Sequence, residues 1–329
     1  MFPVFSDGGR AMTSTVERVD ADSSPRPWDP GQPHHELAAD VRWWMGTPLS
    51  FGLFGRLALD QVAYRKVAAA VDASGRFAAN FTDRGINSYL WNGPLAFSDE
   101  SDRRATAERL KAKHGAVHGV GKGDFAGERF SALDPKLWKW VGTTSLNIFY
   151  AGYIAVYGEH FTDEQREVVW RTVCAMADVG LPSDAAEVPA TVAEMQAYYD
   201  EIADAELAAN PFLLWAADQF ADPPVPTLFG PAWLHRLIEP AWRVTVPLLA
   251  RPARICAESA THPKMMELLG SEWNSAKQLE FTVYRVGIRA ARRWLPRWAV
   301  LEPMAYNRYR YEQLRAFHNR YELKSFAAR

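Results

Sequence analysis

His114 and His118 stand four residues apart in the run Lys113-His-Gly-Ala-Val-His118-Gly119. If this run is helical, both imidazoles share one face. Such a pair can bind zinc, but the zinc-peptidase form carries a Glu directly after the first His, and Gly115 stands there instead. Gly115 and Gly119 also remove bulk around both rings, which suits the approach of something flat and large, such as a porphyrin. The plainer alternative is a helix end, because Gly119, Gly121 and Gly123 follow directly and would terminate one. Upstream, Arg84 sits among Phe77, Phe81, Ile86 and Tyr89. A charge among apolar neighbours calls for an anionic partner: a propionate, a substrate carboxylate, an oxygen species, or a carboxylate in a surface salt bridge. His34, His35, His160, His235, His262 and His318 are isolated or lie at segment ends, where surface or packing roles are the ordinary reading.

The elements that must position these residues are helical. Ser98-Asp99-Glu100 opens a charged run that reaches His114. Asp134 before Pro135 is an N-cap followed by proline at the first helical position. Thr162 to Gln165 forms a capping box ahead of Val168-Val169-Trp170. Pro189-Ala-Thr191 precedes Met195, Tyr198, Tyr199 and Ile202, spaced for one helical face. Asn274 to Trp294 gives a further helix closed by Pro296, and Pro303 opens a last, basic one through about Leu323. Strand-like alternation is scarce. The expectation is an all-α fold of roughly a dozen helices. A Pro-rich, polar lead-in over residues 1–35 precedes a single all-α domain over 36–329.

Composition narrows the function classes. The 329-residue chain can bury a large core. Its formal net charge of −2 lacks the basic footprint of a nucleic-acid partner. Only Cys174 and Cys256 occur, so neither a disulfide framework nor a Cys-x-x-Cys metal pair is available. A reducing, cytoplasmic setting fits, and no basic n-region with an apolar core marks a secretory signal. Thirteen Trp among 13% aromatics point to a large apolar interior or pocket. Val141 to Gly158 is uncharged over about 18 residues, the threshold for a membrane span. Its clustered Thr143, Thr144, Ser145 and Asn147 argue for a buried helix instead. No nucleophile elbow, dinucleotide fingerprint or phosphate loop is present. Gly119-Val-Gly-Lys-Gly123 has the wrong spacing and no preceding strand.

From about residue 40 to 312 the chain resembles a bacterial member of the catalytic-domain family of rubber oxygenases (latex clearing proteins) and MpaB-type oxygenases. Gln61 to Val71 is similar to the family's Gln-to-Val helix, with Tyr64-Arg65 where His-Pro is common, and Ser74-Gly-Arg-Phe77 follows. The Arg-x-x-(Arg/Lys)-Thr motif falls on Arg84-Gly-Ile-Asn87-Ser88. The His-x-x-Val-x-Gly motif falls on His114 to Gly119. The Ala-x-Asp-Pro-(four residues)-Trp-Val-His motif falls on Ala132 to Gly142. Leu295-Pro296 and Pro303-Met-Ala305 before Arg308-Tyr-Arg310 are similar to the family's ending. No single motif is specific; four in order at these spacings are.

The resemblance implies one large helix bundle with a globin-like pocket between helices for a b-type haem. It implies His114 as the iron ligand and Arg84 beside the haem, on a propionate or on bound oxygen. Asn87 and Ser88 are implied on the distal side, and His118 near the cofactor on the same side as His114. One helix cannot easily place both imidazoles on opposite haem faces, so the iron is expected to be five-coordinate or water-ligated. The implied reaction partners are O2 and an apolar small molecule. Asn87 replaces a basic residue, Ser88 replaces Thr, Gly142 replaces the motif His, and Ala68 stands where rubber oxygenases carry a catalytic Glu, with Asp72 about one turn on. These departures point away from rubber toward a small or medium apolar metabolite. The alternatives are a haem-binding or haem-sensing protein without turnover, and a helical protein whose His114 and His118 bind zinc or merely pack.

Overall fold

The computed structural model describes residues 25–177 and 187–325. The expected lead-in therefore lies largely outside the described residues. From 25 onward the chain makes a series of turns, and Trp28 packs under the Arg42 guanidinium at 5.0 Å.

Helices account for 77% of the described residues. In chain order they are α1 (His35–Met45), α2 (Pro48–Phe54), α3 (Leu59–Ala63), α4 (Arg65–Ser74), α5 (Arg76–Ala79), α6 (Phe81–Phe97), α7 (Glu100–Gly115) and α8 (Pro135–Tyr157). There follow α9 (Asp163–Ala177), α10 (Val192–Ala205), α11 (Pro211–Ala221), α12 (Ala232–Glu258), α13 (Pro263–Leu268), α14 (Ser275–Trp294), α15 (Arg297–Val300) and α16 (Pro303–Ser325). Sheet among the described residues is one hairpin, β1 (His118–Val120) antiparallel to β2 (Arg129–Ser131). The all-α expectation holds.

The caps explain several boundaries. Asp134 Oδ1 accepts from the Lys136 and Leu137 amides at 2.9 and 3.4 Å, with Pro135 at the first helical position of α8. Thr162 and Gln165 exchange the two bonds of a capping box at 3.0 and 3.3 Å. Asn274 accepts from the Lys277 amide at 3.0 Å and starts α14.

α8 organises the interior. Its C-terminal half buries Leu146, Phe149, Tyr150, Tyr153 and Val156 in a cluster with Trp44 of α1 and Trp170, Val173 and Met176 of α9. Its N-terminal half buries Leu137 and Trp140 in a second cluster with α3, α4, α10, α11 and the hairpin. The uncharged stretch 141–158 is thus enclosed by neighbouring helices. No helix among the described residues is long and apolar enough to cross a membrane.

Gly152 lets α8 approach α2 closely. A Cβ there would lie 2.9 Å from Phe54 Cγ and 3.3 Å from Trp44 Cζ2, both on fully buried rings. Gly152→Val is expected to cost about 1–3 kcal/mol through overpacking, more than the gain in helix propensity returns. The denaturant midpoint measures it; an unchanged midpoint would mean that these rings give way freely.

Candidate functional site

α6 starts where Asn80 accepts from the Asp83 amide at 3.1 Å. Only Ser98 and Asp99 separate it from α7, and the two helices pack side by side. This antiparallel pair carries Arg84 and His114 at the same end. Each lies about 14–15 residues from the turn, or about 21 Å along its helix. Arg84, Asn87 and Ser88 are spaced i, i+3 and i+4, on one face of α6.

Arg84 is half-buried, its guanidinium 5.3 Å over the Phe77 ring. Phe77 in turn meets Phe81 and Phe212 edge-on or tilted at 6.0 Å, and Phe81 meets Phe220 at 4.9 Å. An aromatic floor therefore lies under this end of α6. Asn87 is exposed and lines a cleft of about 430 Å³ between α6 and α7, with Trp91, Asp102, Arg109 and Met304 on its walls. Ser88 is half-buried beside it.

His114 lies in the last turn of α7, half-buried, edge-on to Trp138 of α8 at 5.2 Å. Its Nδ1 is 2.8 Å from the Leu110 carbonyl oxygen. A carbonyl only accepts, so Nδ1 is the donor in this contact, and in the neutral imidazole the lone pair is then on Nε2. This is the arrangement of a metal-ligating imidazole, whose other nitrogen donates to a backbone acceptor.

His118 is not paired with His114. α7 ends at Gly115, the Val117 amide closes a turn on the His114 carbonyl at 2.9 Å, and His118 begins β1 opposite Ser131, with its side chain exposed. The shared helical face expected for the two imidazoles is therefore absent. Hairpin pairing wins over helix continuation because the glycines around it suit a reversing chain: Gly123 and Gly127 have φ of 55° and 86°. Among the described residues, no group of three or more His, Cys, Asp or Glu side chains gathers to hold a metal ion. Ala68 is buried in the core and Asp72 faces solvent, so α4 presents no carboxylate inward at either position.

Asp60 is the acidic residue that sequence reasoning missed. It is 3% exposed on α3 and accepts a hydrogen bond from the Tyr199 hydroxyl of α10. Burial pushes its carboxyl up to about 7, while the tyrosine bond pulls the other way. Tyr199 packs on Trp140 at 5.1 Å and on His262 at 5.0 Å. Its own hydroxyl is held well above the ordinary tyrosine range, first by burial and then by Asp60. Trp140 Nε1 beside this pair, and Thr143 Oγ1 one turn further along α8, are buried without a protein hydrogen-bond partner. A lone acid within Leu59-Asp-Gln-Val-Ala63 was the available signal. Cys174 and Cys256 are both free thiols, each pushed up to about 12, mainly by burial.

A family model described as "ER-bound oxygenase mpaB/B'/Rubber oxygenase, catalytic domain" matches residues 41–293, from within α1 to the last turn of α14. Arg84, Asn87, Ser88, His114, Asp60 and Tyr199 all fall inside it. No curated protein and no solved structure matches the chain.

Proposed function

The chain belongs to the mpaB/rubber oxygenase catalytic-domain family, and on that premise we propose that it is a haem-dependent oxidoreductase acting on an apolar small molecule with O2. The family is an oxygenase catalytic domain, which supports oxygenase-type chemistry. The observation that carries the haem reading is the 2.8 Å contact of His114 Nδ1 with the Leu110 carbonyl, which leaves Nε2 to face a ligand, in a half-buried place at the same end of the α6–α7 pair as Arg84.

The donor set fits a b-type haem. His114 Nε2 would hold the iron, and the Leu110 carbonyl would fix the ring's orientation and raise its basicity. Arg84 would bind a propionate by a charge-assisted hydrogen bond. When bound, a haem would supply the redox centre for the oxygen chemistry. Asn87 and Ser88 offer an amide and a hydroxyl, which hydrogen-bond but do not take up iron as an amine would. The floor of Phe77, Phe81 and Phe212 would offer an apolar surface to such a substrate. His118, exposed on its strand, has no part in this scheme.

The test is oxygen uptake by the haem-loaded, reduced protein. Oxygen consumption that rises above the background rate with an apolar substrate and a reductant supports the proposal. Haem-loaded protein that neither responds to oxygen nor turns over any oxidant overturns it, and leaves a haem-binding protein without catalysis. Removing the guanidinium should also be felt: Arg84→Ala is expected to weaken haem binding about tenfold, from a charge-assisted bond worth roughly 1.5 kcal/mol. Haem titration followed in the visible region measures it, and unchanged affinity would place Arg84 away from the propionates.

A further inference from the structure

The cleft of about 430 Å³ between α6 and α7 has the volume of a small-molecule site. Asn87, Trp91 and Pro94 follow steps of four and three along α6, so they share one wall. Asp102 and Arg109 stand seven residues apart on α7, two turns and about 10 Å along its axis, and form the other wall. Because the two helices run antiparallel from a short turn, Arg109 is level with Asn87, and Asp102 is level with Pro94 near the turn. Trp91, Pro94 and Met304 of α16 make the stretch between the two ends apolar.

The two ends differ in charge. Arg109 Nε donates to the Ala105 carbonyl at 3.2 Å, and its terminal amino groups meet no carboxylate among the described residues. Lys113, one turn further on the same face of α7, lies 4.7 Å over the Trp91 ring and likewise makes no ion pair among the described residues. Neighbouring cations are already committed, Arg104 to Glu100 and Arg308 to Asp99 at 3.0 Å. At the turn end Asp102 has no cationic partner among the described residues. Glu302 adds to the negative sign there: its carboxylate accepts from the Met304 and Ala305 amides at 3.0 and 2.7 Å and faces Gly93 of α6.

We propose that this cleft binds an apolar molecule that carries one carboxylate, with the acid between Arg109 and Asn87 and the apolar body along Trp91, Pro94 and Met304. A guanidinium takes a carboxylate by two parallel, charge-assisted hydrogen bonds. The Asn87 amide supplies a further donor, and the Lys113 ammonium adds positive potential at the same end. Asp102 and Glu302 repel a second anion at the turn end, so the cleft selects a monoacid over a diacid. The distance between the ends fits a medium-length chain of about 10 Å. That this acid is also the substrate rests on the oxidoreductase reading proposed above; that it binds in the cleft does not.

The experiment is isothermal titration calorimetry of the full chain with decanoate, decan-1-ol and decanedioate, beside Arg109→Gln and Asp102→Asn. Both side chains are exposed, so both variants should keep the wild-type circular dichroism. The wild type is expected to bind decanoate about tenfold more tightly than the alcohol, from one charge-assisted pair, and more tightly than the diacid. Arg109→Gln should remove the preference for decanoate over the alcohol and leave the alcohol's affinity unchanged. Asp102→Asn should bring decanedioate close to decanoate. Equal affinity of the wild type for acid and alcohol overturns the proposal, as does no binding of decanoate or a preference that survives Arg109→Gln. None of these titrations calls for haem or turnover. A failed oxygen-uptake test therefore leaves this result standing, and a failed titration leaves the haem reading standing.

Discussion

Asp60→Asn is expected to raise stability above neutral pH by up to about 4 kcal/mol while leaving it nearly unchanged near pH 4. The carboxyl is raised from 3.8 to about 7 by burial. Between those values the native protein holds a proton that the unfolded chain has released. Stability therefore falls as pH rises through this window, and is level again above about 7. About three pKa units at roughly 1.4 kcal/mol each set the upper bound. The amide removes the titration and still accepts from the Tyr199 hydroxyl. Other groups tilt the profile the opposite way, because Glu258, Glu280 and Glu312 are lowered by their cationic partners. The difference between variant and wild type isolates Asp60. Urea unfolding of both proteins across pH 4–8 measures it, and parallel profiles would show that Asp60 is ionised and compensated in the native state.

Trp44→Ala and Trp140→Ala should each cost about 3–5 kcal/mol, because both indoles are fully buried and leave large cavities. Their phenylalanine variants should separate. Trp44 Nε1 donates to the Phe149 carbonyl at 3.0 Å, whereas Trp140 Nε1 has no partner. Trp44→Phe gives up a made hydrogen bond, worth about 1 kcal/mol. Trp140→Phe removes an unsatisfied buried donor, whose own desolvation cost of about 1–3 kcal/mol is relieved. Trp140→Phe is therefore expected to be the milder of the two by at least about 1 kcal/mol, read from denaturant midpoints. Equal losses would mean that Trp140 Nε1 finds an acceptor in solution beside Tyr199.

The helix starts were legible because their signals are local. Asp134 with Pro135, Thr162 with Gln165 and Asn274 each cap within three residues, and the chain obeys all three. The enclosure of α8 was legible too, from hydroxyls and an amide inside an uncharged run. The end of α7 was only half legible. Glycine signals marked it, but nothing local placed a hairpin three residues later, because β1 depends on pairing with Arg129–Ser131. That pairing carries His118 off the helix. The Asp60–Tyr199 bond was invisible for a different reason: it joins residues 139 apart, with no periodicity linking them. Likewise, nothing local predicts that Arg292 turns inward to Asp40, 252 residues away. The placement of Arg84 and His114 at one end of a helix pair follows from a short turn between two helices of similar length, of which the sequence marks only the start of the second, at Ser98-Asp99-Glu100.

The central claim is that His114 is the single protein ligand of a haem iron. The most direct measurement is the visible spectrum of haem-reconstituted protein beside His114→Ala and His118→Ala. A high-spin Soret band is expected in the wild type, unchanged in His118→Ala and lost or shifted in His114→Ala. A low-spin bis-histidine spectrum, a band indifferent to His114, or no band after reconstitution would contradict it.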